Sequence, residues 1–459
     1  MPTLYPILWI PYLCLLYFLY KKKSIYAVIL LLCFGALNYR LPLHFGFEGK
    51  LFHAGVLFCL VLSMLDFSVR PSHGKYDHII WFAVLAYFLF IFISVLFAKY
   101  DRLPTKIYSM VDQSLLFFVT IKCIKDKKDV NTLFKGVIFA VCIMAGLGLI
   151  GYAVNDPWWG QQVYDDPMVM EARNPSLPYH VQVRLFGQWE GRVASTASNA
   201  NALGATMILA FPIAIYLWFS AKSLVEKLIV SGGMAILIAT VGLSGSLTAV
   251  FSGIVVSFVL FIGLLGVKKG RVSFFDYVFG VTVSLLIVLS VATSDYFTAG
   301  TVQRLKRTQN ITDFLELGNR IFLWKEAVTE LDVTFLAVGR GRPGPAWRKG
   351  AHSNYLGIIY KGGLWAFVAF GVFFLRAIQN ALRLQDRLMA ICFSLSLIAY
   401  ALCSITQESA VHNGPGYVFW PVIAILSNRV AMQLSPYPRK RLKEPRPTRL
   451  VKSAAPLVD

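Results

Sequence analysis

The chain has 459 residues, is 57% hydrophobic and only 15% charged, and carries a mean hydropathy of +0.61 and a formal net charge of +20. Apolar stretches of about 18 or more residues recur from end to end, each long enough to cross a ~30 Å hydrocarbon core as a helix, which excludes a soluble globular fold. Much of the positive charge lies in short connections between apolar runs and in a basic tail, so nucleic acid is excluded as its partner.

The expected fold is all-α: a polytopic membrane protein of about 12–13 transmembrane helices with two exported loops, the larger one partly helical. In chain order the spans fall at 4–20, 25–42, 51–68, 79–98, 107–121, 133–154, 201–219, 228–243, 247–266, 274–293, 353–375, 388–406 and 416–430. The fifth is short and contains Asp112. The first run lacks the basic front and small-residue cleavage site of a signal peptide and is expected to be retained. The seven cysteines (14, 33, 59, 123, 142, 392 and 403) lie within or at the edge of apolar runs and read as small buried hydrophobes.

Lys and Arg set the orientation. The segments at 21–23, 69–75, 122–128, 221–227, 267–271 and 376–387, and the Pro-rich tail at 436–452, all fall on one side of the alternating spans. That side is assigned to the cytoplasm, with anionic membrane lipid as the partner of the tail. The chain then divides into N-terminal transmembrane helices (1–154), a first exported loop (155–200), central helices (201–293), a large exported loop (294–352), C-terminal helices (353–430) and a basic cytoplasmic tail (431–459). A chain that is mostly membrane keeps its polar chemistry where its polar residues are, so the two loops are where function is expected.

The large loop gathers Arg304, Lys306, Arg307, Arg320, Lys325, Arg340, Arg342, Arg348, Lys349 and His352. Guanidinium presents a planar fork of donors suited to phosphate oxygens, so a cationic loop lying against the bilayer suits a lipid-linked phosphate or diphosphate. Within the loop, Ile321, Trp324, Val328 and Leu331 of NRIFLWKEAVTEL form a helical stripe expected to pack, with Arg320 near its front. VGRGRPG at 338–344 fits G-x-G-x-x-G, but Pro343 and Pro345 interrupt it and no βαβ unit surrounds it, so a dinucleotide site is rejected. A Gly-rich turn that exposes backbone N–H groups and presents Arg340 or Arg342 is the reading that remains.

His352 stands where this loop meets the next span, followed by Ser353 and Asn354. An imidazole there can act as a base near neutral pH, and Ser353 or Asn354 can cap the helix that follows. In the first loop Trp158, Trp159, Tyr164 and Trp189 read as an interfacial aromatic belt, with stacking on sugar faces as the alternative. SNANALG at 198–204 puts Asn199 and Asn201 at a helix start, either as plain caps or beside N–H groups that bind an anion.

These motifs together resemble the O-antigen ligase and polymerase superfamily. EGRVASTASNANALGATMILAFPIAI is similar to its G-R-x-x-x-T-x-x-N-x-N entry to a membrane helix, and LSGSLTAVFSGIVVSFVLFI (243–262) to its Ser-rich helix. NRIFLWKEA, AVGRGRP and HSNYLGIIYKGGLWAFVAF follow in the order of its large loop and next helix, so the resemblance spans residues 187–375. It implies a GT-C glycosyltransferase of the bacterial inner membrane that uses no metal or nucleotide, so no cofactor is expected. The donor would be a glycan on undecaprenyl diphosphate, and the acceptor another carrier-linked glycan (a polymerase, the favoured form) or a lipid core or protein (a ligase). Proteins of polysaccharide assembly would be further partners.

By position the resemblance puts the essential His at His352, the loop Arg at Arg320 and the first-motif Arg at Arg192. Substrate-binding roles are expected for Arg192, Asn199, Asn201, Arg304, Arg340, Arg342 and Asn354. One departure is visible: many members have Ser-Arg where this chain has Ser246-Leu247, which removes one cation from the diphosphate site. The competing class is a transporter or flippase for a lipid-linked glycan, which would place its ionisable residues in mid-membrane, with Asp112 the main candidate and Lys135 and Glu408 near span ends.

Overall fold

A computed structural model describes residues 5–37, 40–43, 47–65, 76–97, 115–153, 200–265, 317–329, 333–340, 353–406 and 414–428. The described chain is an all-α membrane protein with one short β-hairpin. Among the described residues six helices are long and apolar enough to cross a membrane, and three shorter ones are apolar along their length.

The first helix, α1 (Tyr5–Leu37), contains two of the expected spans. Lys23 leaves helical geometry at φ −150°, ψ 87°, and the rings of Tyr12 and Phe34 meet at 4.5 Å. Twenty-two residues of straight helix would hold those rings about 33 Å apart, so the chain reverses at the Lys21–Lys23 run. The second limb stops at Leu37 rather than at 42. Residues Arg40–Leu43 (β1) and Phe47–Lys50 (β2) instead form an antiparallel hairpin with Leu43 opposite Phe47.

Next come α2 (Leu51–Leu65), α3 (His78–Phe97), α4 (115–123), α5 (Lys127–Ala153), α6 (Ala200–Ser220), α7 (Leu224–Ser244) and α8 (Leu247–Leu265). Two loop helices, α9 (Leu317–Thr329) and α10 (Val333–Val338), precede α11 (Asn354–Leu382), α12 (Arg387–Thr406) and α13 (Pro415–Ser427). The expected span at 274–293 lies outside the described residues.

Local sequence sets several of these ends. Ser223 caps α7: its hydroxyl accepts the Glu226 N–H at 3.1 Å, while the Glu226 carboxylate accepts the Lys222 N–H at 3.0 Å. This reciprocal arrangement satisfies two N–H groups that the helix itself leaves unpaired. Gly245 ends α7 in the left-handed region at φ 55°, which costs glycine nothing and lets α8 begin two residues later.

The core is ordered around α6. Its apolar window is 94% buried, against 22% for α7, so among the described residues α6 is enclosed by α5, α7, α8, α12 and α13 whereas most of α7 is left open. Helices α3 and α11 pack antiparallel along their length: Tyr87 meets Phe370 and Phe373, and Asp77 at the start of α3 meets Arg376 near the end of α11. All seven cysteines are free thiols. Cys59, Cys123, Cys392 and Cys403 are buried as expected, while Cys14 is exposed on the outside of α1.

The basic connections among the described residues gather on one side. Ser24 donates to the Cys123 carbonyl, Lys127 pairs with Asp386 at 3.6 Å, and Lys135 pairs with Glu226 at 3.1 Å. A buried polar knot closes the same side. Arg376 Nε and Asn380 Nδ2 both donate to Asp77 Oδ2, at 2.9 and 3.0 Å, and Asn380 also donates to the Leu426 carbonyl. Nearby, Asn428 donates to the carbonyl of Ile124. The helices are thereby fixed at the end away from the long loops.

Candidate functional site

On the opposite side, four helices begin close together: α6, α8, α11 and α13. A Cβ on Gly204 of α6 would meet Ser244 Oγ, Ala249 and Ser246 at the α7–α8 turn. Thr206 of α6 lies against Gly414, which precedes α13. Thr248 of α8 and Thr406, the last residue of α12, share a hydrogen bond at 2.7 Å. Asn354 at the start of α11 donates to the Tyr400 hydroxyl of α12 at 3.1 Å, and Tyr400 stacks on Phe419 of α13 at 3.8 Å. Thr206, Ser244, Ser246, Thr248, Ser252 and Thr406 are all buried here.

The positive end of each helix dipole therefore points toward one polar region. A partly buried anion gains up to ~2 kcal/mol from such a terminus, and about 0.3–1 kcal/mol at an exposed one. The negative ends of α7 and α12, at Ser244 and Thr406, lie in the same region and offset part of this, so the four starts leave a reduced bias toward anions before any cationic side chain is counted.

The start of α11 refines the expected capping. Ser353 takes the N-cap position, with extended backbone at φ −145°, ψ 129°, and its carbonyl accepts the Gly357 N–H at 2.8 Å. Its hydroxyl makes no cap bond. The Asn354 side chain is buried and reaches across to Tyr400 of α12. His352 is joined covalently to this N-cap, but it lies outside the described residues.

Eleven residues further on, α11 breaks. Gly363 has φ 72°, ψ −173°, in the middle of an otherwise helical segment. Non-helical backbone at membrane depth is tolerated only where protein covers it, and α10 supplies the cover. A Cβ on Gly339 would come within 2.5 Å of the Gly363 nitrogen and 2.9 Å of Ser94 Oγ on α3. The Arg340 N–H donates to the Tyr360 carbonyl at 2.8 Å, taking the bond that the interrupted helix forgoes. The Tyr360 hydroxyl donates to the Ala327 carbonyl of α9 at 2.6 Å.

Of the turn at 338–344 only residues up to Arg340 are described: Gly339 is in the left-handed region at φ 78°, and the Arg340 N–H is spent inside the protein, while Gly341, Arg342 and Gly344 lie outside the described residues. The stripe on α9 also differs from expectation. Ala327 is fully buried and Trp324 half-buried, whereas Ile321 and Val328 are exposed, so the helix packs through a neighbouring face. Small Ala327 allows the close approach that the Tyr360 bond needs.

Of the expected site residues, Asn201 sits half-buried in the first turn of α6, Asn354 is buried at the start of α11, and Arg340 is half-buried beside the break. Arg320 belongs to the first turn of α9, with its side chain outside the described part. Arg192, Asn199, Arg304 and Arg342 lie outside the described residues, as do Asp112 and Glu408. Lys135 forms its exposed pair with Glu226 on the basic side. Leu247, which stands where the resemblance would place an Arg, is buried in packing at 2% exposure.

Sequence reasoning passed over Lys361. It is 4% exposed, one residue before Gly362-Gly363, inside α11. The signal was present as a lysine followed by two glycines within an apolar run. Asp77 and Arg376 are the other buried charges among the described residues, and they pair with each other. Comparison with models of known protein families finds no match to the chain, and none of the curated proteins matches it.

Proposed function

We propose that the chain is an inverting membrane glycosyltransferase that moves a glycan from undecaprenyl diphosphate onto an acceptor hydroxyl at the exported face of a bacterial inner membrane. The observation that carries this reading is the meeting of four helix starts around buried Ser and Thr residues, on the side away from the basic connections. The sequence places Arg192 and Asn199 just before one of these starts and His352 just before another.

In this reading His352 accepts or orients the proton of the acceptor hydroxyl. Arg192 and Arg320 neutralise the diphosphate as it departs, helped by the helix termini. Charge stabilisation concentrated on the leaving group contributes several kcal/mol to catalysis, because the donors are fixed in place before the reaction. The polymerase form is favoured over the ligase.

The broken helix with its buried lysine is the feature that favours the second reading, a transporter for the same lipid. Transporter folds set such breaks in symmetric pairs around a mid-membrane site. The break in α11 is instead covered by a helix of the large loop, which suits a fixed enzyme site.

The test is a surface-glycan gel on cells carrying His352→Ala, with membrane levels of the protein verified. Loss of long glycan, with single carrier-linked units accumulating, is expected for a polymerase. Accumulation of long carrier-linked chains indicates a ligase. An unchanged profile removes the transferase reading and turns attention to Asp112.

A further inference from the structure

Lys361 has no role in the scheme above, yet its position is unusual. A charged side chain within a membrane-spanning helix is costly, and such residues mark substrate or ion sites. Lys361 lies seven residues after Asn354 on continuous helix, so the two share one face, about 10 Å apart along the axis. The Cα–Cβ bond of a helical residue tilts toward the helix N-terminus, so a lysine stem leaves the backbone in the direction of the polar end of α11.

Two basic residues come close together in this part of the fold. The Arg340–Tyr360 backbone bond sets Arg340 beside the residue preceding Lys361. The break at Gly363 ends one helical segment and begins a second, so a negative and a positive dipole end meet beside the lysine. Meanwhile the α8 position that lacks an Arg is filled by packed Leu247.

We propose that Lys361 is a phosphate-binding residue, its ammonium holding the diphosphate of the lipid-linked donor between the α11 break and the converging helix starts. This rests on the transferase reading and names the cation that replaces the one missing at Leu247.

The experiment uses the full-length protein in lipid nanodiscs, titrated with inorganic pyrophosphate by calorimetry. Lys361→Met is expected to weaken binding about tenfold or more, and Lys361→Arg to keep it within about threefold, since a charge-assisted phosphate contact is lost in the first and kept in the second. Farnesyl diphosphate is expected to compete with pyrophosphate, placing an isoprenoid diphosphate in the same site. Wild-type affinity in Lys361→Met overturns the proposal, as does failure of farnesyl diphosphate to compete. If Lys361→Met does not insert, the wild type and Lys361→Arg decide: both should bind pyrophosphate within about threefold of each other, and absence of pyrophosphate binding by the wild type overturns the proposal. Intact binding in Lys361→Met beside lost glycan in His352→Ala removes this site and leaves the transferase. Lost binding beside an unchanged glycan in His352→Ala leaves the diphosphate site and removes the transferase.

Discussion

Tyr360 bonds to α9 and to the turn that follows α10: its carbonyl accepts the Arg340 N–H at 2.8 Å and its hydroxyl donates to the Ala327 carbonyl at 2.6 Å. One residue of α11 thus fixes α9, which carries Arg320, and α10, which covers the helix break. Tyr360→Phe removes only the second bond and should cost about 1 kcal/mol, the usual net value of a hydrogen bond, plus the penalty of an unpaired Ala327 carbonyl. Faster protease cleavage near α9 and shorter surface glycan are the expected outcomes. Wild-type cleavage and glycan length together would show that α9 is held by other means.

Gly339 and Gly363 approach backbone to backbone, both with positive φ. An alanine at either position pays ~1–2 kcal/mol for the left-handed conformation and must also push apart atoms that already touch. Gly339→Ala and Gly363→Ala should each lower the thermal midpoint and abolish activity. A far milder effect is expected from Gly371→Ala, where a Cβ meets open space.

The Asp77–Arg376 pair is sealed from solvent, with side chains 0% and 8% exposed. Removing one partner leaves a buried charge uncompensated, which costs about 3–5 kcal/mol. Asp77→Leu and Arg376→Met should each be severely destabilising, whereas the double variant should cost much less than their sum. A thermal-unfolding double-mutant cycle reads the coupling, and strict additivity would mean the pair contributes nothing as a pair.

Arg192→Ala and Arg320→Ala should each lower turnover by about 10²–10³-fold without altering protein level, the usual loss when one stabilising donor is removed from a charge-developing site. Lysine at either position should restore only part of the rate, because a point charge does not reproduce the bidentate fork. The measurement is in vitro elongation of a carrier-linked glycan by purified protein.

The membrane helices were legible because hydropathy and turn chemistry are local. The expected span 201–219 is observed as Ala200–Ser220, and 247–266 as Leu247–Leu265. The reversal at Lys21–Lys23 was legible for the same reason, since three lysines cannot remain in hydrocarbon. The hairpin after Leu37 was not, because strands of four residues are too short to show a period, and Asn38 and Arg40 were absorbed into a span counted to residue 42. The Asp77–Arg376 pair joins residues 299 apart, and a list of basic segments reads Arg376 simply as an anchor. The break at Gly363 depends on Gly339 as its partner, and the exposed Ile321 and Val328 on which side of α9 meets Tyr360. Such facts belong to pairs of residues, and the periodicity of one segment does not contain them.

The enclosure of α6 has a consequence for how the protein is made. Ser396 of α12 donates to the Leu209 carbonyl of α6 across 187 residues of sequence. At about 5–20 residues per second, translation reaches Ser396 some 10–40 s after Leu209. Throughout that interval α6 has α5, α7 and α8 beside it but lacks α12 and α13, so the face that carries Thr206 and the Leu209 carbonyl is open to whatever surrounds the nascent chain. The helix at the centre of the finished bundle is therefore among the last to be enclosed. A ribosome stalled before α12 would leave a seam of small and polar side chains open to the bilayer, the surface that membrane quality control is built to detect.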